Sequence, residues 1–283
     1  MDWLDVRLRV RTSGEADLIG GALNSIRPLS PVTGPCLACV HRQSCPLALN
    51  DVFIGSGMEI ARDRMLGRDK VLFREGARCR SLYFLRSGSM MSVVDSQGGE
   101  SQVVMYHLPG EIISMDLPDL RPEHTVSVIA LEPSLVCELS YGNHATRLPT
   151  SNALQERLMQ QIDRQALLLQ THVQMIGRPQ AQQRVAMFLT DLSERYRRLQ
   201  RDPCTLRLTM PRSALASYLA LAPETVSRMF GQLRDAGIID MDQRTVRIKD
   251  PAALAAAAFD TRAQSRLKSV LASSGAGNET NAA

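Results

Sequence analysis

The most regular pattern of apolar positions lies in the last third of the chain, where two short helical repeats meet at a tight turn. The first repeat begins near Arg212, and the second begins at Pro223 and ends at Gly237. Proline is well placed as a first helical residue, and glycine is a good C-terminal cap. The pattern therefore predicts a helix-turn-helix.

The second of these helices has two distinct faces. Glu224, Ser227 and Arg228 share one face at i, i+3 and i+4, and these side chains can read base edges in the major groove. The alternative is a solvated face on which Glu224 and Arg228 form an intrahelical pair worth about 0.2 to 0.5 kcal/mol. Apolar residues at helical spacing form another face and should pack inward: Val226, Met229, Phe230 and Leu233.

Two short β patterns, at 238–241 and 245–248, follow this helix and flank a polar turn, as in a winged helix. The segment 177–250 holds 13 Lys and Arg against 8 Asp and Glu, a net charge of +5, whereas the whole chain carries +4. The basic excess thus lies where a double-stranded DNA partner would be contacted. We expect the basic run 195–201 to be a solvated face near DNA.

Between residues 70 and 139 the apolar pattern changes to short runs, most of them separated by turn glycines. The runs recur at intervals of about eleven residues, a spacing that predicts the strands of a β-sandwich or jelly roll. The six runs are 71–73, 82–85, 90–94, 103–108, 126–131 and 135–139.

Beyond residue 149 the period becomes helical for about six turns, with a narrow apolar seam. Such a seam is typical either of a core helix or of a coiled-coil-like contact between two copies of the chain. Gly177 and Pro179 then break the helix and indicate a hinge. The seam residues are Leu154, Leu158, Ile162, Ala166, Leu169, Val173 and Ile176.

Three of the six cysteines, Cys36, Cys39 and Cys45, lie in one loop bracketed by prolines. In a chain of this length without a secretory signal, such clustering favours metal or redox chemistry over structural disulfides. The spacing matches neither a zinc ribbon nor a ferredoxin run, so zinc and an iron–sulfur cluster stand level on spacing alone. Three ligands are one short of a closed site, and the candidates for the fourth are Cys79, Cys137, Cys204 and His41.

No apolar run approaches the roughly 18 residues that a membrane span requires. The N-terminal stretch carries acidic and basic residues instead of the apolar core of a signal peptide. We therefore expect a cytoplasmic protein without a membrane partner.

These motifs together resemble the CRP/FNR family of bacterial transcription regulators. The stretch Glu224-Thr-Val-Ser-Arg228, which follows a Tyr-Leu-Ala-Leu turn, is similar to the recognition helix of that family. The Cys-x2-Cys-x5-Cys loop is similar to that of its FNR-type branch, whose members sense oxygen. The resemblance implies one 4Fe-4S cluster per subunit, held by Cys36, Cys39, Cys45 and Cys137.

The remaining candidate ligands are not part of the cluster site that the resemblance implies. Cys79 and Cys204 are expected to be small buried hydrophobic residues, since free cysteine commonly behaves in that way. His41 lies inside the cysteine loop, but no pattern requires it as a ligand, and we expect it to face solvent.

The fold implied by the resemblance is α+β: an N-terminal cyclic-nucleotide-binding-like β-roll, a long dimerisation helix and a C-terminal winged helix-turn-helix. The expected domains are an arm with the cysteine loop at 1–49, the β-roll at 50–149, the dimerisation helix at 150–177, the DNA-binding domain at 178–258 and a disordered tail at 259–283.

Cyclic-nucleotide-binding members of the family hold the phosphate with an Arg-Ser or Arg-Thr pair that follows a Gly-Glu turn. This chain keeps the turn as Gly110-Glu111 but has His124-Thr125 at the aligned pair. A neutral histidine does not supply the permanent forked charge that a phosphate requires. We therefore expect no cyclic nucleotide effector.

The function implied is an oxygen-responsive regulator that acts as a homodimer on palindromic TTGAT-like sites and contacts RNA polymerase, with the turn at 95–99 as the candidate contact. The best-known FNR proteins have an aspartate where this chain has Leu169, so we expect dimers to persist without the cluster. One alternative is a zinc- or thiol-based regulator on the same fold. The other, an iron–sulfur redox enzyme, is disfavoured because no dinucleotide glycine fingerprint is present.

Overall fold

The computed structural model describes residues 39–41, 45, 59–95, 101–114, 116, 121–140 and 152–259. All of them belong to one unit that spans residues 34–283. Several predicted features lie outside the described residues: Cys36, the arm at 1–35, most of the turn at 95–99, the side chain of Leu154 and the tail from residue 260 onwards.

Within the described residues, eight antiparallel strands form the β-roll, as the strand spacing predicted. They are arranged in two four-stranded sheets, with the orders β1-β8-β3-β6 and β2-β7-β4-β5. The strands are β1 (Glu59–Leu66), β2 (Val71–Phe73), β3 (Ser81–Ser87), β4 (Met90–Asp95), β5 (Ser101–His107), β6 (Ile112–Ser114), β7 (Ser127–Ala130) and β8 (Ser134–Ser140).

Two of these strands, β1 and β6, were not predicted from the sequence. β1 reads Glu-Ile-Ala-Arg-Asp-Arg-Met-Leu and lies at the edge of its sheet, where it pairs with β8. An edge position tolerates charged residues because one flank of the strand is open to solvent. β6 is only three residues long and follows the Gly110-Glu111 turn directly, so it has no periodicity to detect.

The C-terminal half is a winged helix-turn-helix, as predicted. The long helix α1 (Asn152–Ile176) ends before Gly177, and α2 (Ala181–Arg198) begins just after Pro179. The remaining elements are β9 (Thr205–Arg207), α3 (Arg212–Leu219), α4 (Pro223–Asp235), β10 (Ile239–Asp242), β11 (Thr245–Ile248) and α5 (Pro251–Ala258). The three short strands pair in the order β10-β11-β9 and form the wing.

A continuous apolar core connects the two halves of the molecule. Val103 and Tyr106 of β5 belong to the same buried cluster as Phe188 of α2 and Leu215 of α3. A second cluster fills the interior of the β-roll between its two sheets. The DNA-binding domain therefore packs directly on the β-roll, and the helix break at Gly177 joins two parts that share one core.

Candidate functional site

The turn between α3 and α4 is set by local sequence. Ala220 adopts the left-handed conformation with φ of 51°, and Leu221 donates a backbone hydrogen bond of 3.0 Å to Ala216. Pro223 occupies the first turn of α4, where the missing N–H costs nothing. The Arg212 guanidinium lies 4.2 Å from the centroid of the Phe230 ring, a cation–π contact that ties α3 to α4.

The α4 helix presents the face that could read DNA. The apolar residues Val226, Met229, Phe230 and Leu233 are buried, as their spacing predicted. Glu224, Ser227 and Arg228 are exposed, and together they are called the reading face below. The Ser227 hydroxyl donates to the carbonyl of Pro223 at 3.1 Å, which points it back along the helix. The base contacts of all three residues stay predictions.

The wing places further basic side chains in solvent. Gln243 takes a positive φ of 49° at the tip of the β10–β11 hairpin, beside the exposed Arg244. Arg247 of β11 is also exposed. Exposed arginines near a helix-turn-helix are suited to phosphate contacts, which position a protein on DNA without reading its sequence.

The first helix of the pair, α3, seals an edge of the β-roll. β5 is an edge strand, so part of its backbone lacks a strand partner. The Ser217 hydroxyl accepts a hydrogen bond of 2.9 Å from the Val103 N–H, and Gln102 donates its amide to the Ser217 carbonyl. These contacts hold α3 against β5 while α4 keeps its reading face in solvent.

Arg195 corrects the expectation of a solvated basic run. This residue is only 4 % exposed, and its Nη2 lies 2.9 Å from each carboxylate oxygen of Glu111 on the β-roll. Burial alone would lower the pKa of Arg195, but the carboxylates of Glu111 and Asp191 outweigh that effect and raise it. Arg195 therefore remains charged, and it joins α2 to the β-roll instead of facing DNA. Arg197 and Arg198 are exposed, as expected.

The long helix α1 uses polar residues where it meets its own chain. The Gln165 amide donates to the Ile112 carbonyl at 2.8 Å, and His172 Nε2 donates to the Tyr218 carbonyl at 2.7 Å. The His172 and Tyr218 rings also stack, with 4.1 Å between their centroids. These long-range contacts satisfy buried polar groups, so this face of α1 needs few apolar residues.

Several apolar residues of α1 lie on a different, exposed face. Val173 is 64 % exposed and Leu169 is 45 % exposed. Leu158 was expected on this face, but it is buried within its own chain, at 7 % exposure, and Met159 takes its place. The exposed set is called the apolar stripe below and consists of Met159, Ile162, Ala166, Leu169, Val173 and Ile176, the last of which is half-buried.

The cysteine loop, residues 36–45, contacts both the β-roll and α1. The Cys45 N–H donates to the His41 carbonyl at 2.9 Å, and the Arg157 guanidinium on α1 donates to the Cys45 carbonyl at 3.0 Å. His41 is half-buried against Gly110, contrary to the expectation that it faces solvent. Burial lowers the pKa of His41, a hydrogen bond to the Arg86 backbone opposes this, and the charge of Arg201 lowers it further.

Cys137 lies on the sheet that the loop contacts. It is in β8, opposite Phe84 of β3, and its Sγ lies 3.6 Å from the Asp63 carboxylate. The same carboxylate accepts from Arg86 at 3.0 Å, and His41 hydrogen-bonds to the backbone of Arg86. Asp63 and Arg86 therefore form a short chain of contacts between Cys137 and the cysteine loop.

The described cysteines, Cys39, Cys45, Cys79, Cys137 and Cys204, are not in disulfides. Within the described part of the chain, no three His, Cys, Asp or Glu side chains are grouped so as to hold a metal ion. The fourth thiol of the proposed set belongs to Cys36, outside that part. The three described members of the set, Cys39, Cys45 and Cys137, are thus not drawn together into one metal-binding group, although thiolates are the donors that a 4Fe-4S cluster takes.

Cys79 and Cys204 are placed differently from the proposed ligands. The Cys79 thiol donates to the Asp116 carbonyl at 2.9 Å. Burial, and secondarily the charge of Asp116, raises its pKa to about 11, which keeps the thiol protonated and makes it a poor metal ligand. Cys204 is half-buried in the turn before β9, in the DNA-binding domain.

A buried carboxylate lies beside His124-Thr125, the pair that the family resemblance aligns with the phosphate-binding pair. His124 Nδ1 lies 3.1 Å from Asp116 Oδ2, and the His124 ring stacks on Phe73. Burial would raise the pKa of Asp116, but hydrogen bonds from Ser114, His124 and Thr125 outweigh this and lower it. The Asp116 carboxylate is therefore ionised next to this pair.

Among the described helices, none is both long and apolar enough to cross a bilayer.

The chain matches two protein-family models: a cyclic nucleotide-binding domain over residues 64–146 and a Crp-like helix-turn-helix domain over residues 183–257. These two matches correspond to the β-roll and to the winged helix-turn-helix.

Several transcription regulators are similar to this chain along most of their length. The transcriptional activator protein Anr of Pseudomonas protegens is 34% identical over 228 residues, covering 79% of this chain and 92% of that protein. The transcriptional regulatory protein btr of Bordetella pertussis is 32% identical over 229 residues, covering 79% and 93%. The fumarate and nitrate reduction regulatory protein of Salmonella typhimurium is 29% identical over 229 residues, covering 80% and 91%.

Solved structures show the same fold. FixK2 from Bradyrhizobium japonicum superimposes with a TM-score of 0.62 at 22% identity, covering 69% of this chain and 96% of that chain. A CRP-family transcriptional regulator from Thermus thermophilus superimposes with a TM-score of 0.57 at 21% identity, covering 69% of this chain and 96% of that chain. The relatives are transcription regulators and not enzymes. With a β-roll, a long helix and a winged helix-turn-helix in this order, the chain belongs to the CRP/FNR family of transcription regulators, in its FNR branch.

Proposed function

We propose that this chain is an oxygen-responsive transcription regulator that binds DNA as a homodimer and holds one 4Fe-4S cluster per subunit. The proposed ligands are Cys36, Cys39, Cys45 and Cys137. The similar Salmonella protein is named for the regulation of fumarate and nitrate reduction, which supports a role in anaerobic or microaerobic metabolism.

One observation carries the proposal: the cysteine loop is anchored on the sheet that holds Cys137. Arg157 binds the Cys45 carbonyl from α1, and His41 lies against Gly110. Arg86, whose backbone His41 contacts, shares the Asp63 carboxylate with Cys137. These contacts support the proposal because they connect the loop to the strand pair β3–β8, which carries Cys137.

When bound, a 4Fe-4S cluster would link the four thiolates through iron, and oxygen would break this link. Contacts within the chain hold the cysteine loop in position for this link. Arg157 fixes the loop to α1, which carries the apolar stripe, and His41 fixes it to the β-roll turn at Gly110. Loss of the cluster leaves the loop with only these weaker contacts. We therefore expect the positions of both α1 and the Gly110 turn to change on exposure to oxygen.

The DNA target is proposed to be a palindrome of TTGAT-like half-sites. Arg228 would fork onto the guanine, Glu224 would accept from the cytosine on the opposite strand, and Ser227 would lie near the neighbouring thymine. A two-fold protein places one reading face in each half-site. RNA polymerase is the proposed protein partner, and we expect the protein in the cytoplasm, where its target DNA is found.

A cyclic nucleotide is not among the proposed effectors. This proposal is supported by the buried Asp116 carboxylate, which binds His124 and Thr125 at the position that the resemblance aligns with the phosphate-binding pair. A ligand would have to displace a fully hydrogen-bonded network and approach a negative charge.

The homodimer is proposed to form through the apolar stripe of α1. Its members repeat at spacings of three and four residues over five turns, the pattern of a coiled-coil seam. The side of α1 that packs on its own chain carries Leu158, Gln165, His172 and Met175, so the exposed stripe needs another partner. A second copy provides an identical stripe and is the partner that two-fold symmetry selects.

Replacing Leu169 with aspartate should weaken this dimer strongly. Each copy loses about 1.5 to 3 kcal/mol of apolar burial, and the two-fold axis brings the two new charges together. Sedimentation at low micromolar concentration should show monomers for Leu169→Asp and dimers for the wild type, even in aerobic, cluster-free protein. Leu167→Asp is the matched control, because Leu167 is also exposed, at 52 %, but lies off the stripe. Equal effects of the two variants, or a monomeric cluster-free wild type, would contradict the assignment.

Iron, sulfide and absorbance measured on protein purified without oxygen test the proposed cofactor. We expect about four iron and four sulfide per chain, as four thiolates imply. Exposure to air should remove both and weaken binding to a TTGAT palindrome. Stoichiometric zinc without sulfide would favour a zinc-based regulator on the same fold, and metal-free, oxygen-insensitive protein would refute the proposal.

A further inference from the structure

The Gly110-Glu111 turn between β5 and β6 is contacted from two sides by parts of the chain that are far apart in sequence. The turn itself is firmly held. The Gly110 N–H donates to the Leu85 carbonyl at 2.7 Å, and the Leu85 N–H donates to the Glu111 carbonyl at 3.0 Å. Both residues of the turn are thus hydrogen-bonded to Leu85 near the end of β3. A displacement of one residue is therefore expected to displace the other.

The DNA-binding domain contacts the turn through Glu111. Arg195 of α2 binds both carboxylate oxygens, and its Nη2 also donates to the Tyr106 carbonyl at 2.6 Å. The Leu108 N–H donates to Glu111 Oε2 at 3.0 Å, which orients the carboxylate. The Arg195 side chain is nearly inaccessible to water, so screening does not weaken this bidentate pair.

The cysteine loop contacts the turn through Gly110. A Cβ at this position would lie 3.0 Å from His41 Nδ1, closer than ordinary side-chain contacts allow. The φ of Gly110 is also +85°, in the left-handed region that favours glycine. The loop is therefore in direct contact with the backbone, on the residue that precedes Glu111.

We propose that the Gly110-Glu111 turn is the joint that couples the cysteine loop to the orientation of the DNA-binding domain. This inference rests on the proposed function. With the loop in place, His41 supports Gly110, and the turn presents Glu111 to Arg195. Departure of the loop frees the turn to shift, and the pair between Glu111 and Arg195 weakens.

The docked arrangement is assigned to the DNA-binding state. In it, α3 is held on β5 by Ser217, while Glu224, Ser227 and Arg228 remain exposed on α4. Docking therefore orients the reading face without covering it. Glu111 and His41 are positioning residues, because neither needs to contact DNA or iron.

Glu111→Gln tests the DNA-binding side, since glutamine keeps the size of the side chain but removes its charge. We expect unchanged iron and sulfide, anaerobic binding to the cognate palindrome weaker by roughly tenfold or more, and unchanged preference among base-substituted sites. In the Glu111→Gln variant, amide hydrogen exchange at the hinge, residues 177–180, should be fast whether or not oxygen is present. In the wild type it should become fast only after exposure to oxygen.

The matched control is Glu132→Gln, whose carboxylate also faces the DNA-binding domain but lies 3.7 Å from the mostly exposed Arg207. Glu132 Oε1 also accepts from Ser89 at 2.9 Å, and the glutamine carbonyl oxygen can keep that bond. The variant should therefore bind DNA within about twofold of the wild type, because a pair with an exposed arginine contributes little. Arg195 also lies 3.6 Å from Asp191, so should Glu111→Gln fail to fold, the triple variant Glu111→Gln, Asp191→Asn and Arg195→Gln removes the paired charges together and tests the same joint. Wild-type DNA affinity and hinge exchange in whichever variant folds would overturn the proposal.

His41→Ala tests the sensor side, with Val40→Ala as control because Val40 is 88 % exposed. His41→Ala should keep its iron yet show fast anaerobic hinge exchange and weaker DNA binding, whereas Val40→Ala should behave as the wild type. Loss of iron from His41→Ala would assign the residue to cluster retention and remove it from the joint. If the wild type itself holds no cluster, the proposed function fails, but hinge exchange in Glu111→Gln still decides whether the turn orients the DNA-binding domain.

Discussion

Replacing Cys137 with serine is expected to abolish the iron–sulfur cluster and, with it, oxygen-dependent DNA binding. A serine hydroxyl is a poor substitute for a thiolate on iron. The change should leave the fold intact, because Cys137 is only half-buried and a hydroxyl can still donate to the Asp63 carboxylate. Iron and sulfide per chain after anaerobic reconstitution measure the outcome directly. The same result is expected for each cysteine of the loop: Cys36, Cys39 and Cys45.

Cys204→Ser and Cys79→Ser provide the controls for this experiment. Cys204 lies in the DNA-binding domain, and the Cys79 thiol is buried with its hydrogen bond directed at the Asp116 carbonyl. Both variants should assemble the cluster normally. A full complement of iron and sulfide in Cys137→Ser would show that the remote ligand lies elsewhere.

Replacing Arg228 with alanine should weaken binding to the cognate palindrome far more than binding to a site changed at the guanine. A bidentate contact from arginine to guanine discriminates by about 1 to 3 kcal/mol, which corresponds to roughly 5- to 150-fold per half-site. The side chain is exposed on α4, and the buried residues Val226 and Phe230 fix the helix face that carries it. Binding curves for both proteins on both sites, at two salt concentrations with the cluster intact, measure the effect.

Arg234→Ala is the matched control on the same helix. Arg234 is exposed near the C-terminal end of α4 and pairs with Asp235 at 3.2 Å, away from the reading face. Its loss should change affinity little and equally on both sites. If Arg228 contacts only phosphate, its removal should instead weaken binding uniformly and make the salt dependence shallower. Equal losses on the two sites would therefore remove Arg228 from the residues that read bases.

The amino-acid sequence was sufficient wherever the determining interactions are local. Pro223 and Gly237 mark the ends of the recognition helix region because their backbone preferences act without distant partners. The 3.6-residue period separated buried Val226 from exposed Arg228 for the same reason. The alternation of apolar runs and glycines likewise predicted most strands of the β-roll, whereas edge strand β1 carries too many charges to be detected.

The tertiary structure alone decided which face of each element meets which neighbour. Sequence spacing predicted one apolar seam on α1, but the side that packs on its own chain also uses the polar residues Gln165 and His172. Their partners are backbone carbonyls 53 and 46 residues away, which no local pattern reveals. The pair between Arg195 and Glu111 spans 84 residues and turned an expected solvated arginine into a buried contact between domains. Periodicity reports that a side chain is polar or apolar, whereas long-range packing determines whether a polar side chain is satisfied by water or by a distant part of the chain.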